Sequence, residues 1–447
     1  MLDPAAQLIE GLAGVMARGG ITGDVSGLQR LSGGANMQSW LFSCGGEAFV
    51  LRRTPSSDLL EIRTVDLAGE AALIRHATKG GVIAPEVIAE LRPEDGIGIG
   101  FVMRAIAGTA DPKVVLAGDP GAMITDIAGA LARIHALDVS ALGFLPQLDA
   151  GEGVEKFVAQ FESFGGDRPI IALGLQWLRA HLPPPTPPRL VHGDMRIGNL
   201  MAEDGRLTGV LDWELAHLGD PHEDLAYGCM TVWRFGKIDR PAFGFCDLEP
   251  YFAAYEAAGG EKVDRARFRF WLIYRSVWWA LASLDMGRYW REGLDRSLER
   301  VVISRRVAEQ EVDLLLLLEE AALEDERRRA LPPAPAVPAA PKGEASAGEI
   351  LTAISEWLAE AVKPKLEGRN RFDLAVAQNA LGIVSRELAM RPAAHDPALA
   401  QDILAGRAGL ETPGLLARLR RMALDKLSAD IPKYPTLGRA RAQWEGN

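Results

Sequence analysis

Early in the chain, short apolar runs bounded by turn residues predict strands over residues 29–31, 39–43 and 48–52. Gly45-Gly46 between the second and third predicts a two-residue hairpin turn, where glycine supplies positive φ. A helical period takes over across 65–78 and is closed by Gly80-Gly81. A further strand pair is predicted over 86–91 and 97–103, around Pro93-Glu94-Asp95-Gly96. Residues 1–106 therefore read as a small β-rich lobe. From 107 to 330 the period is mostly helical, with Ile124, Ile127, Leu131 and Ile134 recurring at three- and four-residue steps. Two more strands are predicted there, 199–201 and 207–211, around the turn Glu203-Asp204-Gly205-Arg206. A Pro/Ala-rich linker, 331–345, interrupts the pattern. The helical period resumes over 346–447, with one apolar face through Ile350, Ile354 and Trp357 and another through Phe372, Val376, Ala380 and Ile383. This tail has no spacing that demands chemistry, and the expectation is a separate bundle for docking or homo-oligomerisation.

At 447 residues the chain can bury a substantial core, and 48% hydrophobic with 24% charged residues is ordinary for a globular protein. The formal charge of -11 argues against nonspecific binding of nucleic acid, which needs a basic surface. Cys44, Cys229 and Cys246 are too few and too scattered for a disulfide framework or a zinc site. The start lacks the basic and apolar run of a signal peptide, and no stretch reaches membrane-spanning length, so a cytoplasmic protein without membrane insertion is expected.

The chemistry concentrates in His192-Gly193-Asp194-Met195-Arg196-Ile197-Gly198-Asn199, followed by Asp212-Trp213-Glu214. It supplies a proton acceptor, Asp194, then an amide and a carboxylate able to hold a metal, Asn199 and Asp212. The predicted hairpin between them returns Asn199 and Asp212 side by side. Phosphoryl transfer needs those groups together, because it is mostly positioning and charge neutralisation around Mg²⁺ and the β- and γ-phosphates.

H-G-D-x-x-x-x-N followed by D-W-E resembles the aminoglycoside phosphotransferase family, relatives of the protein kinases. The resemblance implies an α+β, bilobal, protein-kinase-like fold, with ATP and Mg²⁺ as cofactors. By it Asp194 is the catalytic base, Asn199 and Asp212 hold Mg²⁺, and Arg196 sits where protein kinases place a loop cation near the transferring phosphoryl group. The alternative for Arg196 is a salt bridge within the loop. His192 is expected to support the loop, and Asp224 to brace it by accepting backbone amides. His135, in Leu131-Ala132-Arg133-Ile134-His135-Ala136-Leu137, is expected to be a packed, hydrogen-bonded core histidine.

On the nucleotide side, Ser32, Gly33 and Gly34 fall between the first two strands, where adjacent glycines let backbone amides approach phosphate. Arg52 falls on the position of the kinase lysine, with Glu70 on the next helix as its acid, and Arg53 is the register alternative. Met103, Arg104 and Ala105 are the candidates for the strand end that contacts adenine. Downstream, the run through Gly219-Asp220-Pro221 to Asp224-Leu225-Ala226-Tyr227 resembles the branch of the family associated with acyl-CoA dehydrogenases, which implies a small-molecule acceptor hydroxyl on a hydroxyacyl-CoA or related hydroxy acid. Arg234 and Arg275, each beside aromatics, are the expected acceptor-binding cations. The other readings are an aminoglycoside or macrolide phosphotransferase, and a nucleotide-binding pseudokinase module.

Overall fold

The computed structural model describes residues 4–31, 37–55, 65–334, 336 and 342–446. Strands β1 (Ser26–Arg30), β2 (Gln38–Cys44), β3 (Glu47–Thr54), β4 (Val87–Glu90) and β5 (Ile99–Arg104) form a five-stranded sheet in the order β1-β2-β3-β5-β4. Every pairing is antiparallel. The β2–β3 turn is built on Gly45 and Gly46 with φ of 60° and 84°, the doubly positive conformation that side chains resist. Phe49 and Leu51 of β3 are fully buried, in one cluster with Leu8, Leu12 and Val15. Those last three lie on the helix Pro4–Arg18, which the strand-rich reading of this region missed although they recur at helical steps.

Helix Leu67–Lys79 follows, started by the Asp66 carboxylate accepting from Gly69 N at 2.6 Å. Helix Pro120–His135 packs on helix Leu248–Ala257. Strand β6 (Arg189–Val191) pairs with β9 (His217–Gly219), and β7 (Leu200–Glu203) pairs with β8 (Arg206–Val210). The β7–β8 turn carries Asp204 at φ 49° and Gly205 at φ 74°, as an Asp-Gly hairpin requires.

The chain divides into two compact units: residues 1–149 with 184–271, and residues 150–183 with 272–447. The boundaries expected at 106, 330 and 345 do not coincide with this division. Residues 1–106 share a unit with the catalytic hairpins, and the tail shares one with residues 150–183 and 272–330. The physical reason lies in the leucine run. Helix Val307–Leu318 buries Leu314, Leu315 and Leu318 and packs against helices Leu415–Asp430 and Pro435–Trp444. Arg420 Nε donates to Glu319 at 3.0 Å with both side chains buried, and Tyr434 donates to Asp313 at 2.6 Å. The tail is the other half of that core.

Two outcomes follow. A chain ending near Leu331 exposes those leucines and should aggregate, which size-exclusion chromatography and thermal unfolding would show; a soluble, cooperatively folding product would contradict the shared core. Arg420→Met leaves Glu319 buried without its cation and should cost about 3 kcal/mol in chemical denaturation.

Candidate functional site

The site is assembled within the first unit from three segments: the β6–β7 loop, the end of β8, and the inner face of β3. The loop takes its shape from Asp224, whose fully buried carboxylate accepts from His192 N at 2.7 Å and Gly193 N at 2.9 Å. His135 Nε2 lies 3.2 Å from the same carboxylate and its Nδ1 2.7 Å from the Tyr255 hydroxyl. Burial alone would raise the Asp224 pKa, but the hydrogen bond and charge of His135, with those of His192, leave it below its ordinary value. Gly193 has φ 81°, and a Cβ there would run into the Leu215 backbone, so the position accepts only glycine.

His192 is fully buried. Its Nδ1 accepts from Asp194 N at 3.2 Å, which leaves the proton on Nε2, 3.1 Å from the Leu211 carbonyl. Burial lowers its pKa, against the pull of Asp224 and Asp194, and keeps the ring neutral. One imidazole thereby ties the Asp194 loop to the residue before Asp212.

The Asp194 carboxylate is held from several sides. Asn199 Nδ2 donates to Oδ2 at 2.6 Å and Arg196 Nε to Oδ1 at 2.9 Å, and the Tyr227 hydroxyl is also hydrogen-bonded to it. Burial raises the Asp194 pKa, with Arg196 as the largest opposing influence. Arg196 thus forms the intraloop salt bridge, and its guanidinium lies over the Trp233 ring at 4.5 Å. Leu211 N donates to Asn199 O at 2.8 Å, so the closing hairpin sets Asn199 beside the Leu211–Asp212 segment. Asp212 adopts φ 65°, a left-handed conformation that aspartate tolerates better than most residues and that recurs at functional sites.

Strand alternation settles which arginine faces this group. Val50 and Arg52 line the cleft, whereas Phe49 and Leu51 point into the core. Arg52 reaches Glu70 at 3.0 Å, Asp212 at 2.9 Å and Glu214 at 2.9 Å. Arg53 instead donates to Gln38 Oε1 and the Ile97 carbonyl. Burial opposes the Arg52 charge, but the three carboxylates more than offset it and hold the guanidinium protonated.

Arg52, Glu70, Asn199 and Asp212 border a cavity of about 380 Å³ lined by Leu31, Leu41, Val50, Met201 and Leu211, with Met103, Arg104 and Ala105 along its edge. The amides of Arg104 and Ala105 already donate to Glu86 O and Ala48 O. Among the described residues the Ile106 amide, next along the same edge, donates to none. Ser32, Gly33 and Gly34 lie outside the described residues.

The donor set suits magnesium. Asn199 and Asp212 offer hard oxygen ligands, and one guanidinium facing three carboxylates leaves the cluster short of positive charge. Among the described residues no group of three or more His, Cys, Asp or Glu could hold a metal unaided.

The two acceptor candidates are placed elsewhere. Arg234 is buried and directs its donors to the backbone oxygens of Cys229 and Ile238, so it braces its own loop. Arg275 belongs to the second unit, 4% exposed and 5.0 Å from the Trp278 ring, a core position and not an open acceptor surface. Their aromatic neighbours in sequence signalled packing. Sequence reasoning missed Tyr227, Trp233 and Glu214 as neighbours of the reactive groups. Tyr227 alone had a signal, one helical turn beyond Asp224 in the helix His222–Tyr227.

Asp220 is a turn residue. It accepts from His222 N at 2.9 Å and His222 Nδ1 at 2.8 Å, and it pairs with Arg267 at 2.6 Å. Burial would raise its pKa, but His222 and Arg267 outweigh it and hold the carboxyl at about 2. A depressed pKa contributes stability above the unfolded value and loses it as pH falls towards the folded one. Asp220→Asn should therefore cost about 2 kcal/mol at neutral pH, with the difference from the parent shrinking below about pH 4. Urea denaturation across pH 7 to 3 reads this; a deficit independent of pH would contradict it.

A model of the phosphotransferase enzyme family matches residues 27–271. Acyl-CoA dehydrogenase family member 10 of Mus musculus is 28% identical over 274 residues, 57% of this chain and 25% of that protein. Acyl-CoA dehydrogenase family member 11 of Gallus gallus is 28% identical over 294 residues, 59% of this chain and 36% of that protein. The chain thus spans only 25–36% of the length of these curated relatives. A crystal structure from Ralstonia eutropha, described as an aminoglycoside phosphotransferase, is 22% identical with a TM-score of 0.54 over 68% of this chain and 95% of its own. That likeness shows the fold: α+β and protein-kinase-like, with a β-sheet N-terminal region and a C-terminal helical region. Among the described residues no helix is long and apolar enough to cross a membrane.

Proposed function

The chain belongs to the phosphotransferase enzyme family, and on that premise we propose that it transfers the γ-phosphoryl group of ATP to the hydroxyl of a hydroxyacyl-CoA or related hydroxy acid. The observation that carries the reading is the convergence of Asp194, Asn199 and Asp212, with Asn199 Nδ2 2.6 Å from the Asp194 carboxylate and Leu211 N on Asn199 O. Asp194 accepts the proton of the acceptor hydroxyl as its oxygen bonds to the γ-phosphorus and the bond to the β-phosphate oxygen breaks, releasing ADP. Its raised pKa makes it a stronger base than a solvated aspartate. Asn199 Oδ1 and the Asp212 carboxylate hold Mg²⁺, which when bound neutralises charge on the β- and γ-phosphates. Arg52 supplies a fixed positive charge to the phosphates and is oriented by Glu70. The base lies against Met103, Arg104 and Ala105, and takes its amide hydrogen bond from Ile106 because the two amides before it are engaged. Arg196 stabilises charge on the transferring group while restraining Asp194.

The acceptor class rests on the curated relatives, which are named as acyl-CoA dehydrogenase family members. Mass-spectrometric screening of MgATP-dependent phosphate transfer onto hydroxyacyl-CoAs and aminoglycosides tests it directly. Phosphorylation of a hydroxyacyl-CoA supports the reading, and turnover confined to aminoglycosides overturns it. The division of labour has its own check. Asp194→Ala should lower turnover at least about a hundredfold while leaving MgATP affinity nearly intact. Asp212→Ala should weaken MgATP by about tenfold or more, because a charged ligand of the ion is lost. Calorimetric titration giving equal losses of affinity in both variants would refute the assignment of roles.

A further inference from the structure

Trp233 closes the short turn Thr231–Trp233, a few residues beyond the helix that carries Asp224. Its side chain is buried, at 7% exposure. Two neighbours rest on its ring. The Arg196 guanidinium carbon lies 4.5 Å from the ring centre. The Tyr227 ring stacks on it with centroids 6.2 Å apart and planes 25° from parallel. Both neighbours end on one carboxylate, Arg196 through Nε to Asp194 Oδ1 at 2.9 Å and Tyr227 through its hydroxyl. A single indole therefore backs two of the side chains that hold the Asp194 carboxylate, and Asn199 is the third.

The need for such a wall follows from the chemistry of arginine. Its long side chain has many rotamers, and the hydrogen bond from Nε to Asp194, with a longer one of 3.4 Å from Nη1 to the Ile197 carbonyl, leaves one face of the guanidinium to be held by packing. A flat guanidinium over an aromatic face gains a cation–π attraction that fixes its plane. The loop leaves space to match: Gly198 adopts φ 105°, and a Cβ at that position would come within 2.9 Å of Arg196 Nη1. The guanidinium is thus confined by the ring and by the shape of the loop.

We propose that Trp233 is a positioning residue of the phosphotransfer site, whose indole holds Arg196 and Tyr227 so that the Asp194 carboxylate keeps a single orientation. The inference rests on Asp194 acting as the base. It adds a residue outside the H-G-D-x-x-x-x-N and D-W-E motifs on which catalysis depends through packing.

The test compares Trp233→Leu, which keeps apolar bulk without an aromatic face, with Trp233→Phe, which keeps the face. With MgATP and 3-hydroxybutyryl-CoA as probe, the Leu variant should lose about tenfold or more in kcat with KM for MgATP changed less than about twofold. The Phe variant should recover most of the loss. A second readout needs no turnover. In ¹⁵N–¹H spectra the Arg196 Nε–H resonance, identified by its disappearance in Arg196→Lys, should exchange slowly with water in the parent and the Phe variant. It should exchange at least about tenfold faster in the Leu variant, where the guanidinium is released. Equal protection in the Leu and parent proteins overturns the proposal. Should the Leu variant fail to fold, Trp233→Met carries the same comparison. A parent protein inactive on the probe counts against the acceptor reading, while the Nε–H exchange still decides the role of Trp233.

Discussion

The Asp224 carboxylate, fully buried and accepting the amides of His192 and Gly193, is the constraint from which the site is built. A buried charge is costly unless its hydrogen bonds are complete, and here His135 adds a side-chain partner to the two backbone donors. The carboxylate fixes where the chain turns after β6, and Gly193 can make that turn because it alone tolerates the approach to Leu215. His192 then extends the tie in two directions, to Asp194 N and to the Leu211 carbonyl. The residues assigned to proton transfer and to metal binding are thereby referenced to one buried carboxylate, although they come from different segments.

Electrostatics complete what the hydrogen bonds begin. Arg52 faces Glu70, Asp212 and Glu214, and a guanidinium in place of the kinase lysine has enough donors to meet several acids at once. The resulting group is under-neutralised, a state that a divalent cation arriving with a nucleotide would relieve. Asp194 is treated differently. It is buried among an amide, a guanidinium and a phenol, so its orientation is fixed while its proton affinity is raised.

Much of this was legible in the sequence where a local rule determined the outcome. Gly45-Gly46 and Asp204-Gly205 announced their hairpins, and the second hairpin carried Asn199 to the segment of Asp212 as expected. The pairing of Arg52 with Glu70 could be proposed from spacing, but choosing it over Arg53 needed the register of β3 against β5. What stayed hidden depended on contacts far apart in the chain. Trp233 meets Arg196 and Tyr227 through tertiary packing with no periodic trace, and Tyr227 was marked only by its place one helical turn beyond Asp224. The Pro/Ala linker suggested an independent tail, yet helix Val307–Leu318 packs on one side against Pro169–Ala180 and on another against helices beyond the linker. Arg234 and Arg275 illustrate the converse error: arginine among aromatics suggested an anion site where the fold uses arginine to brace its interior.

The central claim, that one loop and one hairpin end form a site for a metal-bound nucleotide, is tested most directly by a crystal structure with Mg²⁺ and a non-hydrolysable ATP analogue. The account predicts a magnesium ion at about 2.1 Å from both Asn199 Oδ1 and an Asp212 carboxylate oxygen, with the γ-phosphate on the Asp194 side and the adenine in the cavity beside Met103 and Ile106. A nucleotide bound away from that cavity, or a metal held without Asn199 and Asp212, would contradict it.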